Sequence, residues 1–168
     1  MTKNLLPKII LGIDPGYDRV GWAVGSYQNS KFHLLNLGCI QTDSNQNIFD
    51  RYTVIILNLK KIIKRYKPEV LAIETLFFSK NKKTALRVSE SRGIIVGTLL
   101  NSGVNVYEYS PNSIKLAVTG SGSANKHAVE KLVKMQVDHK MLGQINAEID
   151  DAIDAVAVAM THVFTKTF

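Results

Sequence analysis

The chain begins as short apolar runs cut by turn residues and continues as longer runs of helical period. Lys8 to Ile13 is apolar and is ended by Asp14-Pro15-Gly16, the pattern of a buried strand leaving a sheet. Val20 to Tyr27 and Phe32 to Ile40 are rich in β-formers and are joined through Gln28-Asn29-Ser30, which predicts a three-strand meander. From Asp50 to Tyr66 the residues Ile55, Ile56, Leu59, Ile62 and Ile63 fall at helical spacing, and Pro68 stops the run. Val70 to Ile73 predicts a fourth strand closed by Glu74, Lys82 to Leu100 a long helix, and Val104 to Tyr109 a fifth strand. Ser110 and Pro111 suit the N-cap and first position of a short helix. A loop from Gly120 to Ser123 leads into a helix from Ala124 to Val137, and a last helix runs from Glu148 to Phe164. A meander followed by strands alternating with helices predicts an α/β fold, a mixed five-stranded sheet flanked by helices. No linker interrupts the pattern, so residues 1–168 are read as one domain, long enough to bury a core.

Composition narrows the class of partner. Lysine and arginine number 21 against 14 acids, a formal charge of +7, which favours a polyanion. Nucleic acid is preferred to a membrane, because no long basic amphipathic helix is evident. Mean hydropathy is +0.01, and the apolar runs fall far short of the roughly 20 residues of a membrane span. The N-terminus lacks a small-residue cleavage site, so a cytoplasmic protein without a signal peptide is expected. The single cysteine, Cys39, excludes an intramolecular disulfide and a cysteine-based zinc site.

The sharpest chemical signal is a pair of acids in one kind of place. Asp14 and Glu74 each end an apolar strand, KIILGI and VLAI, at the sheet edge where ligands collect. Either acid alone reads as a cap on its loop. Two half-desolvated carboxylates on neighbouring strands repel, and a divalent cation resolves the conflict. The last helix adds Asp150, Asp151 and Asp154. Asp151 and Asp154 are three apart and project together, opposite a stripe of Ile149, Ile153, Val156 and Met160. Acids in a first turn also complement the helix dipole, so capping stays open here, and geometry alone leaves Asp150 as an alternative ligand. The donors are all oxygen, which suits Mg²⁺ or Mn²⁺ rather than zinc. The four histidines show no metal-ligand spacing, and His162 is read as structural or solvated.

Two features point to phosphate or base contact, and a third to helix packing. Phe77-Phe78 followed by Lys80, Lys82, Lys83, Arg87 and Arg92 interleaves aromatics with cations close to Glu74, although a loop that buries both phenylalanines would read the same way. Lys126 stands three residues after Ser123, where a capping box would hold an acid, and is favourable there only with an anion nearby. Ser89, Gly93 and Gly97 recur every four residues on the long helix, a small-residue face suited either to a second helix or to its own sheet.

Leu11-Gly12-Ile13-Asp14-Pro15-Gly16, then Ala72-Ile73-Glu74, then Asp151-Ala152-Ile153-Asp154 through His162 resemble the motifs of the RuvC family of Holliday-junction resolvases in order and spacing. The resemblance spans Lys8 to His162 and implies a ribonuclease H-like fold. It implies a homodimer that resolves four-way DNA junctions by paired nicks in recombination and repair. Mg²⁺, with Mn²⁺ as a substitute, would act as two ions per subunit, and a RuvA–RuvB branch-migration complex would be a partner. By the same resemblance Asp14, Glu74, Asp151 and Asp154 are the catalytic metal ligands and Phe77 the base-stacking aromatic. Lys115 and Lys126 face phosphate, and Arg19 occupies a position where arginine is common. Lys80 and Lys82 are added as DNA contacts from the basic run itself. Thr75, Tyr17 and Asp18 depart from the family pattern. An actin-like ATPase would need a duplicated domain, and a non-catalytic junction binder leaves four acids facing DNA without purpose.

Overall fold

Alternation along the strands decides where every side chain of the sheet goes. The computed structural model describes residues 8–28, 31–76, 82–138, 140–141, 143–144 and 149–165, with residues 82 and 83 through their backbone alone. Strands β1 (Lys8–Asp14), β2 (Arg19–Gln28), β3 (Lys31–Gln41), β4 (Val70–Glu74) and β5 (Asn105–Tyr109) form one sheet in the order β3-β2-β1-β4-β5. The first three pair antiparallel, while β4 and β5 run parallel to β1. This is the mixed five-stranded sheet that the sequence pattern predicts.

Successive side chains on a strand face opposite sides. On β1 and β4, Leu11, Ile13, Leu71 and Ile73 enter one core with Ile55 and Leu59 of α1 (Ile48–Tyr66) and Ile95 and Leu99 of α2 (Lys82–Asn101). Ile10, Val70 and Ala72 enter the other with α3 (Pro111–Thr119), α4 (Lys126–Gln136) and α5 (Asp150–Thr165). Residues 14 and 74 continue the second series, so the same alternation that buries the core directs both acids towards the face covered by α5.

α5 can lie against the sheet because the strands beneath it carry glycine. A Cβ on Gly12 would stand 2.7 Å from the Ala159 Cβ. α5 is buried on all sides from Ala155 to Val163, as its unbroken apolar run from Ala155 to Met160 predicts. Boundaries shift where caps act. α1 starts at Ile48, not Asp50, because the Asn47 side chain accepts from the Phe49 and Asp50 amides. α4 starts at Lys126, not Ala124, because Asn125 is the N-cap and accepts from the Ala128 amide at 2.9 Å. Such a cap is worth about 1 kcal/mol. Ser110 caps α3 as expected, accepting from the Ser113 amide at 3.1 Å. Glu148 lies outside the described residues.

Candidate active site

Parallel pairing of Ile13 with Ile73 sets Asp14 and Glu74 side by side at adjacent strand ends. Asp151 and Asp154 approach from the first turns of α5, so three elements bring four carboxylates to one edge of the sheet. Burial raises the Asp14 pKa to about 7, and the charges of Asp154, Glu74 and Asp151 add to the effect. Glu74 is raised by burial and then by Asp154, against an opposing pull from Lys115. Asp154 is raised by burial, with Lys126 lowering it and Asp150 and Asp151 raising it again. Negative charge is crowded into a half-buried site.

Two cations pair with the α5 acids. Lys126 Nζ stands 3.1 Å from Asp154 and 3.4 Å from Asp150. Burial works against its ammonium, but bonding and attraction to Asp154 and Asp150 outweigh it and raise its pKa. The anion that a first-turn lysine needs is thus supplied by the protein's own acids. Arg19 Nε lies 3.2 Å from Asp151 Oδ2, yet its N–H is not aimed there, and that oxygen accepts no hydrogen bond among the described residues. A buried carboxylate oxygen without a hydrogen-bond donor suits a cation. Among the described residues no group of three metal-binding side chains is ready-made; Asp154 pairs with Lys126 and Asp151 lies beside Arg19. The donor set is all oxygen and fits a hard divalent ion.

A cavity of about 210 Å³ opens beside the carboxylates, lined by Glu74, Lys115, Lys126 and Asp154 over a floor that includes Ile114 and Val129. Lys115 therefore joins the site. Phe77 and Lys80 lie outside the described residues, and Lys82 begins α2. Arg87 and Arg92, grouped with the basic run in the sequence, are engaged within the protein. Arg87 bonds Glu90 at 2.8 Å, and Arg92 bonds the Glu74 carbonyl at 3.1 Å and pairs with Glu108. His162 is structural, bonded through Nδ1 to the Tyr109 hydroxyl at 2.8 Å.

One contributor escaped the sequence reading. Arg51 is 6% exposed, bonds Thr42 Oγ1 at 2.9 Å and the Tyr17 carbonyl at 3.2 Å, and pairs with Asp18. It thereby holds the turn that follows Asp14, and it gives Tyr17 and Asp18 a purpose. Its signal was available, because Arg51, Ile55 and Leu59 share one helical face.

The model of the family described as "Crossover junction endodeoxyribonuclease RuvC" matches residues 10–162. A protein of that name from Finegoldia magna is 42% identical over 159 residues, covering 95% of this chain and 94% of the relative. One from Caldanaerobacter subterraneus is 43% identical over 153 residues, covering 91% and 90%. Among solved structures, Thermus thermophilus RuvC in complex with Holliday junction substrate superposes with a TM-score of 0.85 at 28% identity, covering 94% of each chain. The sheet and its flanking helices are therefore the ribonuclease H-like fold, and the chain belongs to the RuvC family of crossover junction endodeoxyribonucleases.

Proposed function

We propose that this protein resolves four-way DNA junctions by paired, symmetric nicks through metal-dependent phosphodiester hydrolysis, in homologous recombination and repair. The observation that carries the reading is the convergence of Asp14, Glu74, Asp151 and Asp154 at one buried edge, where burial and mutual repulsion hold Asp14 up to about 7. Four acids kept together at such a cost need a compensating cation. In this reading they are the ligands of two Mg²⁺ ions per subunit, with Mn²⁺ able to substitute. Bound there, the ions would supply Lewis acidity for the attacking water and the leaving oxygen.

The chain's own residues have distinct tasks. Lys115 and Lys126, on the wall of the cavity beside Glu74 and Asp154, neutralise the phosphate that enters. Arg19, 57% exposed beside Asp151, adds charge at the rim. Phe77, Lys80 and Lys82 extend the DNA contact from the segment after β4, with Phe77 stacking on a base at the junction centre. The active unit is a homodimer, since two equivalent strands need two equivalent sites. Its support here is α2: Ser89, Gly93 and Gly97 are exposed, and a Cβ on either glycine would meet nothing within 4 Å. Leu86 and Leu100 extend the same open face. Residues 1–168 act as one nuclease domain in the cytoplasm with a RuvA–RuvB motor, a setting that rests on family membership. No helix of the described residues is long and apolar enough to cross a membrane.

End-labelled four-way junction and linear duplex, each with Mg²⁺ or EDTA, test the reading. Paired nicks on the junction in Mg²⁺ alone are expected. Equal cutting of duplex, or cutting in EDTA, would overturn it.

A further inference from the structure

Two consecutive residues of α2 reach the two chain segments that carry the strand-end carboxylates. Ser91 has no solvent exposure, and its Oγ donates to the Gly16 carbonyl at 2.6 Å, two residues beyond Asp14. Arg92 Nε donates to the carbonyl of Glu74 itself at 3.1 Å, and its other arm pairs with Glu108 on β5. Both acceptors are main-chain carbonyls, one on the last residue of β4 and one just beyond β1, and such groups need a donor when buried. A hydroxyl and a guanidinium placed at an inner helix face lose hydration that only well-aimed bonds restore. Packing alone would be served by apolar residues at either position.

We infer that Ser91 and Arg92 are positioning residues for the metal site, fixing the separation of Asp14 and Glu74, which would hold the metal. The inference rests on the metal reading above. Ligand positions set by an outer ring of bonds determine ion affinity, and loss of one outer partner weakens a site by about 10- to 100-fold. Arg92 acts on the residue that bears the carboxylate, and Glu108 holds the guanidinium from its far side. Ser91, the preceding residue, acts on the loop after β1, which Arg51 also grips.

Full-length Arg92→Ala, Arg92→Lys, Ser91→Ala and Glu108→Gln test this by calorimetric titration with Mn²⁺ in the absence of DNA. The Mg²⁺ dependence of single-turnover cleavage, junction affinity and thermal unfolding are measured alongside. Arg92→Ala is expected to weaken Mn²⁺ binding about tenfold and to raise the half-maximal Mg²⁺ concentration by a similar factor, with junction affinity unchanged. Arg92→Lys recovers part of the loss, because an ammonium can still donate to the Glu74 carbonyl. Ser91→Ala and Glu108→Gln shift both quantities the same way by less. If the variants melt earlier but their folded fraction binds Mn²⁺ like wild type, the two residues are merely structural and the inference is overturned. A wild-type protein that binds no Mn²⁺ would instead overturn the metal reading beneath it.

Discussion

Gly21 and Asp151 meet backbone to backbone: a Cβ on Gly21 would collide with the Asp151 carbonyl oxygen and lie 3.1 Å from the Ala152 amide nitrogen. Gly21 pairs with Asp14 across β1 and β2, so this one approach sets the distance between the α5 acids and the strand acids. Gly21→Ala is expected to cost about 1–3 kcal/mol by overpacking and to lower cleavage further than its loss of folded protein explains. Urea unfolding and single-turnover rates on the same preparation check this. A variant with full activity and unchanged stability would show that α5 can shift freely.

The three aspartates of α5 differ in surroundings although they share a helix turn. Asp150 is 70% exposed at its side chain and Asp151 only 22%. If they serve only the helix dipole, each is worth roughly 0.3–1 kcal/mol and none affects rate. In the present account Asp151→Asn and Asp154→Asn lose several orders of magnitude in cleavage, while Asp150→Asn loses little. A severe defect in Asp150→Asn beside a mild one in Asp151→Asn would exchange their roles.

Lys126 sits where it can serve either the protein's acids or an incoming phosphate. Removing its charge relieves Asp154 of a bonded cation, so Lys126→Ala is expected to bind Mn²⁺ more tightly without DNA, yet cleave more slowly. The slope of junction affinity against salt should flatten by a fraction of one phosphate contact. Unchanged metal affinity, rate and slope would leave Lys126 a surface lysine.

What was readable in the sequence followed from periodicity. Apolar runs ended by Asp14 and Glu74 already placed two acids at strand ends, and alternation sends both to the α5 side. The aspartates of α5 were readable as a cluster, but the residues alone left Asp150 and Asp151 as alternatives. What stayed dark were pairings between distant segments. Arg92 read as a DNA-facing cation because nothing local reveals that it reaches the Glu74 carbonyl, 18 residues away. Lys126 read as awaiting an external anion because Asp154 lies far along the chain. A helix starting at Ala124 would have Ser123 before it, whereas Asn125 is the N-cap; both are capping residues, and only the backbone distinguishes them.

The raised pKa of Asp14 carries a stability signature. The folded protein keeps a proton that the unfolded chain, near 3.8, has already released. Stability from this group is therefore full below about pH 4 and is lost as pH rises through about 7. At about 1.4 kcal/mol per pKa unit the loss is at most about 4 kcal/mol. In EDTA, Asp14→Asn should gain stability over wild type as pH rises from 5 to 8, and Mg²⁺ should restore wild type. Parallel stability curves for the two proteins across that range would contradict the buried, crowded carboxylate.

Asp14 and Glu74 are the proposed ligands of the ions that cut DNA. Single-turnover cleavage of an end-labelled four-way junction by Asp14→Asn and Glu74→Gln in Mg²⁺ tests this, with junction affinity and melting temperature measured on the same samples. Both variants are expected to fold and to bind the junction at least as tightly as wild type, because negative charge facing phosphate is removed. Both are expected to leave the junction uncut. Cleavage at the wild-type rate by either folded variant would contradict the metal site.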